Sequence, residues 1–359
     1  MEETTKPKRQ IGRAIGIFFL RLLAVLGVTL VVLALILLGA VYVFTRGGSE
    51  TAREKFVFTV KETSAIGFLA DIFLSPEEVD AIVNQPQVEL DTQMDTSLVE
   101  IAAPAETEDG PAADAWGYVD DDGDGLILVD VKAGSYNGYM LIVLDPSRVV
   151  LGCDPDTLYH RGHTVEWYVN AQGGVAGINA SGFEDKGGNG DGSTPDTVIV
   201  HEGQIYAAWK GIGHGWVGID DEYKLRVGFQ SSYDITEWNI QEGCGFAPGP
   251  ILVINGEMAP EGNLRSGLNP RTAIGQRSDG AILMLVIEGR QPSRLGASYT
   301  DLAEEMLRFG AVNAVNLDGG SSSMMYFNGE YINNSASVIG IRPIPTAFVV
   351  LPEGRRGNG

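Results

Sequence analysis

Positive charge is what this chain has least of. From Glu62 to Val131 there is no Lys, Arg or His. The whole sequence sums to −22. The first 21 residues carry five basic and two acidic groups, +3, which leaves −25 for the rest. So acidic a surface repels nucleic acid and other polyanions over long range, and an anionic ligand then needs a local cluster of Arg or Lys. Cysteine is nearly absent as well. Cys153 and Cys244 are the only two, so no disulfide framework exists, and spacing alone leaves open whether they pair or remain free thiols. The four histidines, His160, His163, His201 and His214, lack zinc-type spacing and read as surface or core residues. There is no Gly-x-Ser-x-Gly elbow and no P-loop. No second apolar run follows the one near the N-terminus.

That run, Leu22–Phe44, contains no charge in 23 residues. As a helix it measures about 35 Å against a hydrocarbon core of about 30 Å. It is longer than a signal-peptide core and ends in Val41-Tyr42-Val43-Phe44, a poor cleavage site. Lys6, Lys8, Arg9, Arg13 and Arg21 precede it, whereas Arg46, Arg53 and Lys55 follow. This bias points the N-terminus to the cytoplasm. The expected organisation is a cytoplasmic N-terminus over 1–21, a transmembrane signal anchor over 22–44, an acidic juxtamembrane segment over 45–114 and an extracytoplasmic domain over 115–353.

Within the juxtamembrane segment, residues 63–84 are apolar enough for short helices. Ser75, Pro76 and Glu78 fit an N-cap, a first-turn proline and a capping-box glutamate. Residues 85–114 are rich in Pro, Ala, Thr, Glu and Asp and read as a linker. The segment is expected to act as a stalk that stands the domain off an anionic membrane. The run Asp120–Gly125 has a calcium loop's Asp spacing, but its twelfth position is Val131 rather than a bidentate acid. A solvated turn is the better reading; it and the loop Asn189–Asp191 could hold calcium only weakly.

From Trp116 the texture is rich in short strands, namely 125–131, 139–144, 197–200, 251–254, 281–287, 311–317 and 347–351. One helix stands out over Tyr299–Phe309, with a Ser298/Asp301 capping box and Gly310 at its end. The expected fold class is α+β: a β-rich mixed sheet domain with few helices, preceded by one transmembrane helix.

Three segments are candidates for chemistry. Asn316-Leu317-Asp318-Gly319-Gly320-Ser321-Ser322-Ser323 ends a strand in a carboxylate, two glycines and hydroxyls. Its backbone could form an anion-binding nest, or Asp318 could simply cap its own turn. In Ala176–Phe183, Asn179 has an amide suited to a sugar hydroxyl or to its own turn. In Asn269–Gly275, Arg271 offers a bidentate grip on phosphate, with Arg277, Arg290 and Arg294 following in the same region.

In order along the chain, Asp145–Val149, Gly177–Asn179 through Phe183, Gly249–Val253 with Gly256, Arg271–Gly275 and Asn316–Ser322 resemble the phosphodiester glycosidase family. That family includes a lysosomal uncovering enzyme and bacterial exopolysaccharide-biosynthesis proteins. The resemblance runs over about 116–352. It departs at Ala180-Ser181-Gly182-Phe183, where many relatives have Gly-Gly-Phe-Phe after the Asn. It implies hydrolysis of a sugar 1-phosphodiester of the N-acetylglucosamine type. Asp318, Asn179 and Arg271 would be catalytic, and Gly319, Gly320, Ser321, Ser322, Gly182 and Arg277 would bind substrate. No metal or cofactor is implied. Expected partners are a phosphate-linked sugar or envelope glycan, and the membrane through one helix. Phosphate is a good leaving group, so one carboxylate with cations on the phosphate can suffice where ordinary glycosidases need two carboxylates. The alternatives are a non-catalytic surface protein that binds or assembles glycan, and a hydrolase of peptidoglycan or teichoic acid acting on a different bond.

Overall fold

The computed structural model describes residues 6–63, 66–84, 94–101, 113–185, 190–206, 215–228, 232–247, 249–291, 293–337 and 340–355. His214, Asn189 and most of the expected linker over 85–114 lie outside the described residues. The α-helices are α1 Lys6–Arg46, α2 Glu50–Lys61, α3 Pro76–Val83, α4 Val165–Gln172, α5 Ser232–Glu237 and α6 Tyr299–Arg308. The strands begin with β1 Leu126–Lys132, β2 Asn137–Val143, β3 Val149–Cys153, β4 Ala176–Asn179, β5 Ile199–His201 and β6 Gln204–Tyr206. They continue with β7 Trp216–Asp220, β8 Leu225–Val227, β9 Ile240–Gly245, β10 Ile251–Ile254, β11 Glu257–Met258 and β12 Arg271–Arg277. The last are β13 Ile282–Ile287, β14 Ala311–Asn316, β15 Met325–Phe327, β16 Glu330–Tyr331 and β17 Thr346–Val350.

The strands form three sheets, ordered β1-β2-β13-β12-β14-β10-β11, β16-β15-β4-β17-β3 and β6-β5-β9-β7-β8. The fold is β-rich α+β, as expected, with neighbouring described strands antiparallel. The strand–helix–strand unit β13-α6-β14 leaves β12 between its two strands. Both pair with β12 antiparallel and so run in the same direction. The large sheet is covered on both faces. Leu141, Met284, Ile274 and Val315 face Leu151, Ile178, Ile219 and Phe348 of the other sheets. Met140, Leu285, Ala273 and Ala314 pack with Leu302, Ala303, Met306 and Phe309 of α6 and its end. Burial on both faces explains why β13 is an unbroken apolar run rather than an alternating one.

Local signals set the element ends. Ser298 and Asp301 form a reciprocal capping box on α6, and Ser75 and Glu78 form one on α3, with Pro76 in the first turn. Each such cap is worth roughly 0.5–2 kcal/mol. Cys153 and Cys244 are buried free thiols. Burial pushes the Cys153 thiol up to about 12. His163 bonds Asp154 and stacks on Trp167, and His201 bonds Glu242.

α1 contains one stretch, Ala14–Arg46, long and apolar enough to cross a membrane. Among the described residues of the juxtamembrane segment, α2 and residues 94–101 pack on their neighbours rather than standing free. α2 follows α1 after a short break, and Phe44 stacks on Phe56 at 5.4 Å, so α2 turns back beside the last turns of α1. Val41 and Thr45 are buried there, whereas most of α1 is exposed. At its far end α2 docks onto the β domain. Thr59 Oγ1 accepts from Leu268 N (3.0 Å), and Glu62 accepts from Gly267 N (3.2 Å) and Asn269 Nδ2 (2.8 Å). A Cβ on Gly267 would fall 2.2 Å from Thr59 Cα, so only glycine admits this approach. The described parts of 94–101 also lie on the domain: Glu100 N donates to Ser278 O and Asp95 N to Asn255 Oδ1. In these described parts, backbone hydrogen bonds to the domain and buried apolar contacts hold the chain in place despite its acidic composition.

Candidate active site

The site forms where β14, β4 and β12 end side by side. Ala273 pairs with Asn316, and Leu317 N extends the register to Thr272 O at 2.8 Å. Asp318 therefore leaves β14 beside Arg271. Asn179 ends β4 and fastens the corner. Its Nδ2 donates to Asp318 O (2.6 Å), and its Oδ1 accepts from Thr272 Oγ1 (2.8 Å) and Met324 N (3.1 Å). The structure thus brings Asp318, Asn179, Arg271 and Gly319–Ser322 together. Asn179 is fully buried and its oxygen is doubly engaged, so it positions the Asp318 turn rather than presenting that oxygen to a sugar.

Asp318 keeps a minor share of accessible surface, but its Oδ2 is sealed from solvent and has no hydrogen-bond partner. Burial, aided by the nearby Asp196 carboxylate, pushes its pKa up to about 7. The Ser322 hydroxyl, the Arg342 charge and the Gly319 N–H pull the other way. Asp196 had no signal in the sequence beyond standing just ahead of β5. It is buried, and it enters beside Gly182, where a Cβ would lie 2.7 Å from its Oδ2. Gly182 therefore serves the site by leaving room for a second carboxylate.

The turn after Asp318 is tight. Gly320 adopts φ +62, and a Cβ on Gly319 would fall 2.9 Å from Pro270 O. The expected backbone nest is largely occupied. Gly320 N donates to Pro270 O, Ser322 N to Gly319 O, and Ser323 N to Gly320 O. The hydroxyls remain: the Ser322 hydroxyl lies near enough to Asp318 to lower its pKa, and Ser321 Oγ accepts from Arg342 Nη1 at 3.1 Å.

The cations divide unequally. Arg271 is buried and engaged: Nη2 donates to Glu62 Oε2 (2.7 Å) and Gly267 O (2.8 Å), Nε donates to Ala297 O (3.2 Å), and Tyr299 lies beneath at 4.1 Å. Its charge reaches the site while its hydrogen bonds hold α2. Arg290 is exposed, its guanidinium 3.1 Å from where a Gly320 Cβ would sit, and it feels the charges of Arg271, Arg342 and Asp318. Arg342 pairs with Asp185 (2.8 and 3.0 Å) and reaches Ser321. It precedes the last strand as Ile341-Arg342-Pro343, and its only signal in the sequence was the scarcity of arginine. Arg277 does not belong to the site and its assignment is corrected. It ends β12 six residues on from Arg271, about 20 Å along the strand. There it is wholly buried between Asp114, Asp279 and Trp116. Asp120, Asp122 and Asp124 bring their carboxylates within 4.8 Å of one another. Asp120 bonds the amides of Gly123 and Gly125, and Asp124 that of Leu126, as in a solvated turn.

The family model for phosphodiester glycosidases matches residues 172–351, half of the chain, and the chain belongs to that family. The match spans Asn179, Gly182, Asp196, Arg271, Arg290, Asp318–Ser322 and Arg342, and leaves Glu62 outside. Among individual relatives, the SPbeta prophage-derived uncharacterized protein YomE of Bacillus subtilis is 38% identical over 85 residues, covering 24% of this chain and 13% of that protein. The N-acetylglucosamine-1-phosphodiester alpha-N-acetylglucosaminidase of Bos taurus is 25% identical over 147 residues, covering 36% of this chain and 28% of the enzyme. The chain thus spans well under a third of the length of these curated relatives. The zebrafish enzyme of that name, solved as a catalytic domain auto-inhibited by its pro-peptide, superposes with a TM-score of 0.52 at 21% identity. This likeness, over 63% of this chain and 82% of that one, is one of fold.

Proposed function

We propose that this protein is a membrane-anchored extracytoplasmic hydrolase that cleaves the glycosidic bond of a sugar 1-phosphodiester of the N-acetylglucosamine type, in envelope or exopolysaccharide metabolism. The anchor is the span at 22–44 and the catalytic unit is 115–353. The observation that carries the reading is the Asp318 carboxylate, sealed at Oδ2 and close to Asp196, with the guanidiniums of Arg290 and Arg342 beside it. The guanidiniums take the phosphate and neutralise the charge that grows on it as the bond to the anomeric carbon breaks. Asp318, with a proton affinity near neutrality, takes the proton of the attacking water. Asp196 keeps that affinity high and opposes the positive charge that develops on the sugar ring. Asn179 and Gly182 set these groups in place. The reading assigns no cofactor.

The test is release of reducing sugar from a synthetic N-acetylglucosamine 1-phosphodiester by the purified protein. Turnover by the wild type with a loss of at least about 100-fold in Asp318→Asn is the expected result. Wild-type turnover in that variant would remove Asp318 from the chemistry. Saturable binding without turnover would instead favour a glycan-binding protein.

A further inference from the structure

The phosphate-binding side of the site is fastened to the outer end of the apolar helix. Arg46, the last residue of α1, pairs with Glu78 through two hydrogen bonds (2.6 and 2.8 Å), and Tyr42 packs edge-on against Phe73 at 5.4 Å. α2 lies back beside those same turns of α1. Its far end is only about 18 Å away, the length of a 12-residue helix. That end holds Gly267, Leu268, Asn269 and Arg271 through Thr59 and Glu62. Thr63, just beyond it, meets Arg290 Nη2 at 3.3 Å, and Pro270 O holds Gly320 N. A continuous chain of packed and bonded groups therefore runs from the end of the span to the turn after Asp318. It sets Arg290 one helix length, roughly 18 Å, from the end of the apolar helix.

Exposed apolar residues stand beside the two arginines along the chain or across a backbone hydrogen bond. Leu295, whose carbonyl accepts from Arg290 N, is 53% exposed. Ile341, next to Arg342, is 40% exposed. Ile66, whose amide donates to Thr63 O, is 38% exposed, and Phe68 after it is 62% exposed. A ligand that fits a carboxylate pair, then two guanidiniums, then exposed aliphatic side chains is an amphiphile with its phosphate in the middle.

We propose that the phosphodiester this site takes is membrane-resident: a sugar 1-phosphate esterified to a long-chain lipid alcohol, with the sugar at Asp318, the phosphate between Arg290 and Arg342, and the start of the chain against Leu295 and Ile341. The proposal rests on the hydrolase reading above. In the reaction water adds to the anomeric carbon. The bond from that carbon to the phosphate oxygen breaks, the electron pair leaves with the lipid phosphate monoester, and the water proton passes to Asp318. The products are free sugar and lipid phosphate.

The full chain, reconstituted in phosphatidylcholine vesicles, is assayed with N-acetylglucosamine 1-phosphate esterified to methanol or to hexadecanol. We expect kcat/KM for the hexadecyl diester to exceed that for the methyl diester at least ten-fold. The double variant Leu295→Ser/Ile341→Ser should lose roughly ten-fold on the hexadecyl diester, with the methyl diester unchanged. Equal rates on the two diesters overturn the lipid proposal and leave the hydrolase reading standing. So does a preference that survives the double variant, since vesicle concentration alone then explains it. If neither diester is cleaved, the hydrolase reading fails, and binding of the non-hydrolysable methyl and hexadecyl phosphonates decides the rest. Tighter hexadecyl binding that the double variant abolishes upholds the lipid site, and equal binding overturns it.

Discussion

The two ends of β12 carry the same residue type to different effect. Arg271 and Arg277 are both buried, both paired with carboxylates and both laid over an aromatic ring. Around Arg277 the partners close the account. Asp114 and Asp279 satisfy the guanidinium, and nothing else in the pattern calls for a ligand. Around Arg271 the pairing with Glu62 is only the start. Two further guanidiniums, a carboxylate of raised pKa and a second carboxylate converge on one turn. A buried arginine is thus no sign of a site by itself; a carboxylate of raised pKa whose buried oxygen has no partner, beside further cations, is.

The sharpest way to break the comparison is at Asp318. Asp318→Asn should lower kcat by about 10²–10⁴ in the sugar-release assay, with folding retained in circular dichroism. Next come the two ends themselves. Arg277→Met removes one partner of a buried pair and should cost about 3–5 kcal/mol in denaturant unfolding, with kcat/KM of the folded fraction unchanged. Arg271→Met should cost a similar stability and also lower kcat/KM. If Arg277→Met depressed kcat/KM as much as Arg271→Met, the division of roles along β12 would be wrong. Arg290→Gln touches an exposed cation, so its melting temperature should stay near wild type. Its KM for the phosphodiester should rise about ten-fold or more, as for a lost charge-assisted bond of about 1.5–3 kcal/mol.

The smallest effect is on pH. Asp318 binds its proton more tightly folded than unfolded, with a folded value of about 7 against an ordinary 3.8. Between those values the native state holds more protons, so this group's contribution to stability falls as pH rises from about 4 to 7. Replacement by Asn should flatten that part of a melting-temperature profile. Activity should show the opposite slope. As a base, Asp318 works once ionised, so kcat/KM should rise with pH to a plateau above about 7.

Much of the fold was legible locally. The runs that became β1, β2, β5, β10, β13, β14 and β17 are short, apolar and bounded by turn residues. The capping boxes at Ser75 and Ser298 announced α3 and α6. β7 and β9 escaped because Gly218, Gly243 and Gly245 interrupt the pattern, and β8 because it is only three residues long. Those glycines make room for Trp216, whose ring a Cβ on Gly243 would meet at 2.4 Å. At the site, the Asp-Gly-Gly-Ser turn stood out because a strand ending in a carboxylate and two glycines has few other uses. Asp196 and Arg342 did not, since a lone Asp before a strand and a lone Arg before a proline are ordinary until long-range packing encloses them. Asn179 was legible as a position but not in its role, because its partners Thr272 and Met324 come from elsewhere in the chain.

The sequence by itself determined an uncharged run long enough to span a bilayer, an acidic chain short of cations, the β-rich class, and the position of Asp318 at the end of a strand. These follow from composition and from patterns within one element. Tertiary structure alone decided which cations face Asp318 and which are sealed away, that Asp196 joins it, and that Glu62 binds the end of α2 to Arg271. Those contacts join residues far apart in the chain, and the energy of a charge depends on burial and neighbours that no local pattern contains.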